Sequence, residues 1–158
     1  MDLGIKGKKA IVCASSQGLG YGCAEALAQA GVDLIICARN KDMLYDAEKK
    51  LSTFDVVVTS VCCDVTVESG RKMLLEACSD PDILVNNAGG PPPGFWSDWI
   101  REDFISALDA NMISPITLIK KVLPSMIDKK WGRIVNITSQ AVKAPIPALG
   151  LSNSVMSR

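Results

Sequence analysis

The residues with the clearest chemistry lie in the stretch CASSQGLGYG, Cys13 to Gly22. An apolar run ends there and a helical pattern begins. Backbone that approaches a phosphate closely must lack side-chain bulk, and a helix N-terminus presents free N–H groups and the positive end of a dipole to an anion. Gly18 and Gly20 supply the close approach. The spacing is not G-x-G-x-x-G; a glycine four places before Gly18 would complete G-x-x-x-G-x-G, but Ala14 stands there. No Lys-Ser or Lys-Thr follows, which excludes a P-loop. The alternative is a tight strand-to-helix turn that binds nothing.

About twenty residues further on, a second apolar run ends Cys37-Ala38-Arg39-Asn40. An acid at such a tip would accept from the ribose hydroxyls of NAD, whereas an arginine suits the additional 2′-phosphate of NADP. No acid is present. The Arg39 guanidinium can fork onto a phosphate and stack on adenine, so the expected cofactor is NADP(H). A merely solvated surface arginine is the other reading.

These residues require elements to hold them. Lys8–Ala14, Val32–Ala38, Asp55–Asp64, Asp82–Gly89 and Gly132–Ser139 read as strands, apolar on both faces. Between them lie helical patterns: Gly20 to a stop at Gly31, Lys41–Thr53 with Leu44 and Leu51 inward, and Val67–Cys78 with Thr66 as cap. A long helix over Ile100–Lys121 follows despite Pro115, then a short one after Pro124. The segment GPPPGFWSDW is too rich in Pro and Gly for regular structure. Its Phe95, Trp96 and Trp99 either border a substrate or make core or oligomer contacts. Strict alternation of strand and helix predicts βαβ units and an α/β, Rossmann-like, doubly wound parallel sheet with helices on both faces. With 158 residues and no linker or repeat, a single domain over 1–158 is expected.

Composition excludes several classes. Lys plus Arg and Asp plus Glu are 17 each, with no basic stripe, so a nucleic-acid partner is not expected. No apolar run is long enough for a membrane span. The N-terminus MDLGIKGKKA lacks the apolar core of a signal peptide, and the reading is cytoplasmic. The six cysteines show no paired CxxC spacing and there is no histidine, so no metal site is expected. Most of the cysteines sit in apolar runs and read as buried, reduced thiols.

The glycine turn, Asp64-Val65, Asn86-Asn87-Ala88-Gly89, Asn111 and GRIVNITS occur in one order. Together they resemble the classical short-chain dehydrogenase/reductase family, nearest in pattern to its 3-oxoacyl-carrier-protein reductase-like members, over essentially the whole chain. The resemblance implies an NADP(H)-dependent oxidoreductase acting on a small-molecule carbonyl/alcohol pair, such as a 3-oxoacyl thioester. It places Ala14, Ser16, Gln17, Gly18, Leu19 and Gly20 along the pyrophosphate and ribose, with Arg39 and Asn40 at the tip of the second strand. Asp64 would accept from the adenine amino group with Val65 beside it. Asn87, Ala88 and Gly89 would line the nicotinamide ribose. Ser139 matches the serine that hydrogen-bonds the substrate oxygen, and Asn111 the asparagine that holds a water in a proton relay. A strand-end cap for Ser139 and a helix-bend partner near Pro115 for Asn111 are the structural alternatives. The resemblance also implies a homodimer or homotetramer, formed through the fourth and fifth helices.

The pattern also breaks at the acid/base pair. The family requires Tyr-x-x-x-Lys, and its spacing from Ser139 reaches Ser152 and Met156 instead. A serine hydroxyl is a far weaker acid than a phenol, and methionine carries no charge to tune one. A non-catalytic nucleotide-binding or interaction domain, or an inactive fragment, is therefore the competing reading. LGLSNSVMSR reads as the start of a fifth helix. On the family pattern the chain is expected to be C-terminally truncated, leaving the fifth strand as an exposed edge.

Overall fold

The computed structural model describes residues 3–155. Five strands, β1 (Lys9–Val12), β2 (Asp33–Ala38), β3 (Val58–Cys62), β4 (Ile83–Asn86) and β5 (Arg133–Asn136), form one sheet in the order β3-β2-β1-β4-β5. Every neighbouring pair is parallel. The chain steps outward from β1 to β3, then returns to lay β4 on the other side of β1. That reversal opens a crevice at the C-terminal ends of β1 and β4, the place where such sheets bind ligands.

The strands are apolar on both faces because both are covered. On one face Ala10, Val12, Leu34, Ile36 and Val85 pack with Ala24 and Ala28 of helix α1 (Gly18–Gln29) and with Leu44, Ala47 and Leu51 of α2 (Lys41–Leu51). On the other, Ile11, Cys13, Ile35, Cys37 and Leu84 meet Leu74 of α3 (Glu68–Ala77). Leu118, Val122 and Met126 of α5 (Ser114–Asp128) close that same face. Gly31, at φ +77°, ends the first helix in the left-handed region as the sequence predicts. Among the described residues β5 is an edge strand of this sheet, and Val135 on it is 46 % exposed.

The helical predictions need three corrections. Thr66 does not cap α3; Val67 stands at that position, and the Thr66 N–H and hydroxyl both donate to Asp64 Oδ1, at 2.9 and 2.8 Å. The expected long helix is α4 (Arg101–Leu108) and α5 joined by a π-helical turn, Asp109–Ile113. That turn leaves Pro115 in the first turn of α5, where a missing N–H matters least. Pro124 does not break the helix, because Val122 and Met126 on either side of it are anchored in the core. The segment after Ser139 holds a 3-10 turn, Gln140–Val142, and then the short helix α6 (Gly150–Val155).

Candidate nucleotide-binding cleft

The crevice is a cleft of about 450 Å³, within the usual range for a cofactor site. Of the residues singled out in the sequence, Ala14, Ser16, Gln17, Gly18, Leu19, Arg39, Asn40, Asp64, Val65, Asn87, Ala88 and Gly89 line it. Cys37, Ala38, Met43, Cys63, Thr66 and Ala110 complete the wall. Cys37 and Cys63 were legible only as core residues; the register of three adjacent strands brings them to the floor.

Gly20 does not line the cleft. A Cβ there would run into the Ala14 carbonyl and come within 2.7 Å of Asn87 Nδ2, so this glycine lets α1 close onto β4. Gly18 adopts φ +61° with open space around it, and Ala14 adopts φ +47°. The missing first glycine of the pattern is thus an alanine held in the left-handed region. Ser15, in sequence one more polar residue of the turn, pins it. Its Oγ donates to the Val12 carbonyl at 2.8 Å and accepts from Cys37 N–H at 3.2 Å, while its own N–H donates to the Cys37 carbonyl at 3.0 Å. Gln17, the residue before α1, supplies no side-chain cap, so the first-turn N–H groups receive no acceptor from it.

At the tip of β2, Asn40 Oδ1 accepts from Met43 N–H at 3.0 Å and caps α2. That bond orients the loop from which Arg39 faces the cleft. Burial alone would raise the Asp64 carboxyl. The two hydrogen bonds from Thr66 and the positive charge of Arg39 outweigh it and hold Asp64 below the usual carboxylate range. The Cys37 thiol is pushed well up by its hydrogen bond with Cys13, although its contact with Cys63 acts the other way; burial adds to the rise. Cys63 is raised by its hydrogen bond with Cys37 and by burial. Both thiols stay protonated at neutral pH and act as apolar wall.

The remaining candidates are not among the residues that line this cleft. Asn111 sits buried in the π-helical turn, its Nδ2 donating to the Ala107 carbonyl at 3.0 Å. It borders a small polar cavity next to Asn87 and Ala88. Ser139 Oγ accepts from Ala141 N–H at 3.1 Å and caps the 3-10 turn. Ser152 is buried on α6, and Met156 lies outside the described residues. Tyr21, whose hydroxyl donates to Glu25 Oε1 at 3.5 Å, and Tyr45 are on α1 and α2, and neither lines the cleft. Trp99 packs with Ala107 and Leu151 in a small core cluster, whereas Phe95 and Trp96 are exposed.

The family model for short chain dehydrogenases matches residues 8–151. The chain belongs to the short-chain dehydrogenase family. It is 32 % identical over 151 residues to the human inactive hydroxysteroid dehydrogenase-like protein 1, covering 90 % of this chain and 45 % of that protein. The structure of L-sorbose reductase from Gluconobacter frateurii, complexed with NADPH and L-sorbose, superposes with a TM-score of 0.94 at 28 % identity, over 99 % of this chain and 62 % of that one. NAD+-bound xylitol dehydrogenase superposes at 0.86 and 27 % identity, over 96 % and 60 %. The chain spans about half the length of the curated relatives it matches. No helix among the described residues is long and apolar enough to cross a membrane.

Proposed function

We propose that this short-chain dehydrogenase family member binds NADP(H) in the cleft and acts as an oxidoreductase on a small carbonyl/alcohol pair. The observation that carries the binding half is the cleft itself, whose wall combines the glycine turn, Arg39, Asp64 and Asn87–Gly89. The turn offers uncapped N–H groups to a pyrophosphate. Arg39 supplies a bidentate donor to a 2′-phosphate at the tip of β2. Asp64, kept ionised, accepts from an amino group at the adenine end. Ala88 and Gly89 leave room for the nicotinamide ribose, and Asn87 stands beside it.

When bound, the nicotinamide supplies hydride transfer. The chain's own contribution to chemistry is Ser139, whose hydroxyl accepts from Ala141 N–H and so keeps its proton available to donate to a substrate oxygen. Asn111, in the π-helical turn, borders the polar cavity behind the nicotinamide end of the cleft and would hold a water there. A 3-oxoacyl thioester is the substrate class that the family resemblance favours.

A second reading is a nucleotide-binding chain without turnover. The observation favouring it is Ser152, buried on α6 where the family carries its acid/base tyrosine. Binding and turnover therefore need separate tests. The first reading expects NADPH to bind more tightly than NADH, Arg39→Ala to remove most of that preference, and NADPH oxidation with a ketone or 3-oxoacyl thioester to disappear in Ser139→Ala. NADPH binding without oxidation of any such substrate would establish the second reading. Equal affinity for NADH and NADPH would defeat the role of Arg39.

A further inference from the structure

The two asparagines that end β4 point their amides in different directions. Asn87 Nδ2 donates to the Ala14 carbonyl at 3.2 Å, tying β4 to the glycine turn after β1. Asn86 Nδ2 donates to Asn136 Oδ1 at 2.8 Å, tying β4 to the end of β5. Asn86 and Asn136 are register partners at the ends of the two parallel strands, and Ile137 N–H adds a bond to the Asn86 carbonyl at 2.9 Å. Asn86 is 3 % exposed, and its Oδ1 has no hydrogen-bond partner among the described residues. A polar cavity of about 10 Å³ adjoins it, between Ala88, Ala110, Asn111 and Ile137. That is near the least volume one water needs, and a buried carbonyl oxygen of this kind requires a donor.

We infer that Asn136 is a positioning residue for the nicotinamide half of the cleft, acting through Asn86 and a single water in the adjoining cavity. The inference rests on the nucleotide reading above and extends it to a residue outside the cleft wall. The physical argument is one of stiffness. β5 pairs in parallel with β4 in this sheet. Its C-terminal end leads within three residues to Ser139, and that of β4 leads directly into Asn87–Gly89. Without the side-chain tie, the two strand ends are joined there only by backbone bonds. With it, a line of amides runs from Ala14 through Asn87 and Asn86 to Asn136, so the pyrophosphate turn, the nicotinamide wall and the Ser139 segment keep one spacing. The adenosine half, held by Arg39 and Asp64 on the far side of β1, does not depend on it.

That asymmetry sets the test. Asn136→Leu removes the acceptor; Asn136→Asp keeps one. Binding of NADPH and of adenosine 2′,5′-bisphosphate is measured for both variants and the unmodified chain. Asn136→Leu should weaken NADPH about ten-fold, the scale of one buried hydrogen bond. It should leave the bisphosphate unchanged, and Asn136→Asp should retain both affinities. Equal weakening of both ligands, no weakening of either, or an aspartate as damaging as leucine would overturn the inference. If the leucine variant does not fold, Asn136→Ser, too short to reach Asn86, is read in the same way.

Hydrogen exchange without nucleotide separates this inference from the binding reading. Amides at 87–89 and 137–142 should exchange faster in Asn136→Leu while those at 33–38 do not change. If the unmodified chain bound neither ligand, the nucleotide reading would fall, but faster exchange at those segments would still support the tie. Unchanged exchange would overturn it.

Discussion

Asn87 Nδ2 lies 3.2 Å from the Ala14 carbonyl oxygen, and Gly20 packs against both groups. The glycine of the turn is therefore fixed by protein–protein contact, not by room for a ligand. Gly20→Ala would place a methyl against a backbone carbonyl that cannot retreat without moving the turn. The expected result is a loss of roughly 1–3 kcal/mol of stability, typical of overpacking, and at least a ten-fold loss of NADPH affinity. Gly22, two residues on, is the control. A Cβ there meets nothing within 4 Å, and alanine is favoured over glycine in a helix by about 1 kcal/mol. Gly22→Ala should raise the melting temperature, and chemical denaturation of both variants checks the pair. Equal effects at the two positions would contradict the packing argument.

Ala14 offers the opposite change. Its φ of +47° is one that L-residues adopt at a cost of about 1–2 kcal/mol. Glycine would relieve that cost but lose about 0.4–1 kcal/mol through its freer unfolded chain. Ala14→Gly should thus stabilise the protein by roughly 0.5–1 kcal/mol. Its carbonyl, which Asn87 uses, is unaffected, so NADPH affinity should stay within about two-fold. A lower melting temperature for Ala14→Gly would mean that the alanine methyl contributes packing that outweighs its backbone strain.

The course of the chain was legible because its strands are short apolar runs punctuated by helices, a pattern only a covered parallel sheet satisfies. The cleft was legible in part for the same reason: in such a sheet the strand ends collect at one edge, and Ala14, Arg39, Asp64 and Asn87 are all strand-end residues. What remained hidden depends on partners distant in sequence. Ser15 reads as one more polar residue in a turn until β2 brings Cys37 beside it. Cys37 and Cys63 read as core until three strand ends align. Thr66 reads as a helix cap because it shortly precedes α3, but the helix starts at Glu68, which puts Val67 at the cap, and Thr66 donates back to Asp64 instead. Pro124 looked like a break, and only the burial of Val122 and Met126 shows why the helix continues through it.

The outer face of the α4–α5 unit carries Ile105, Met112, Ile113, Ile116, Leu123 and Ile127, all more than a third exposed. From Ile116 onward the spacing is seven and then four residues, which keeps these side chains on one helix face. This stripe lies wholly on the α4–α5 unit, the fourth helix expected from the sequence, and offers one surface for association of two copies; the expected fifth helix is α6. Light scattering should give a mass near twice the calculated 16.9 kDa for this chain. Ile116→Glu should shift it to monomer while leaving the fold intact by circular dichroism, because Ile116 is 40 % exposed. A monomeric unmodified chain at high micromolar concentration would remove the stripe as a self-association surface.

At the opposite end of the sheet, Asp82 joins three elements. Its Oδ2 accepts from Lys9 N–H at 3.0 Å, and its Oδ1 lies 3.1 Å from Lys129 Nζ and 3.8 Å from Lys8 Nζ. Lys129 also donates to the Asp80 carbonyl at 2.8 Å, and Lys8 and Arg133 flank the Trp131 ring at 4.5 and 4.9 Å. Burial would raise the Asp82 carboxyl, but the Lys9 N–H and the two lysines outweigh it and hold it below its usual value. A carboxyl depressed in the folded state stabilises the fold fully above its unfolded value, about pH 4. That contribution is lost as the pH falls through the lower folded value. Asp82→Asn keeps an acceptor for Lys9 but drops the charge, and should cost roughly 1–3 kcal/mol at pH 7. The difference between the two proteins should shrink steadily below about pH 4, as the native carboxyl is protonated and comes to resemble the amide. Denaturation midpoints measured across that range decide the matter: a difference that stays constant into acid would show that Asp82 acts through shape and hydrogen bonding alone, and that its charge contributes nothing to the junction of β1, β4 and α5.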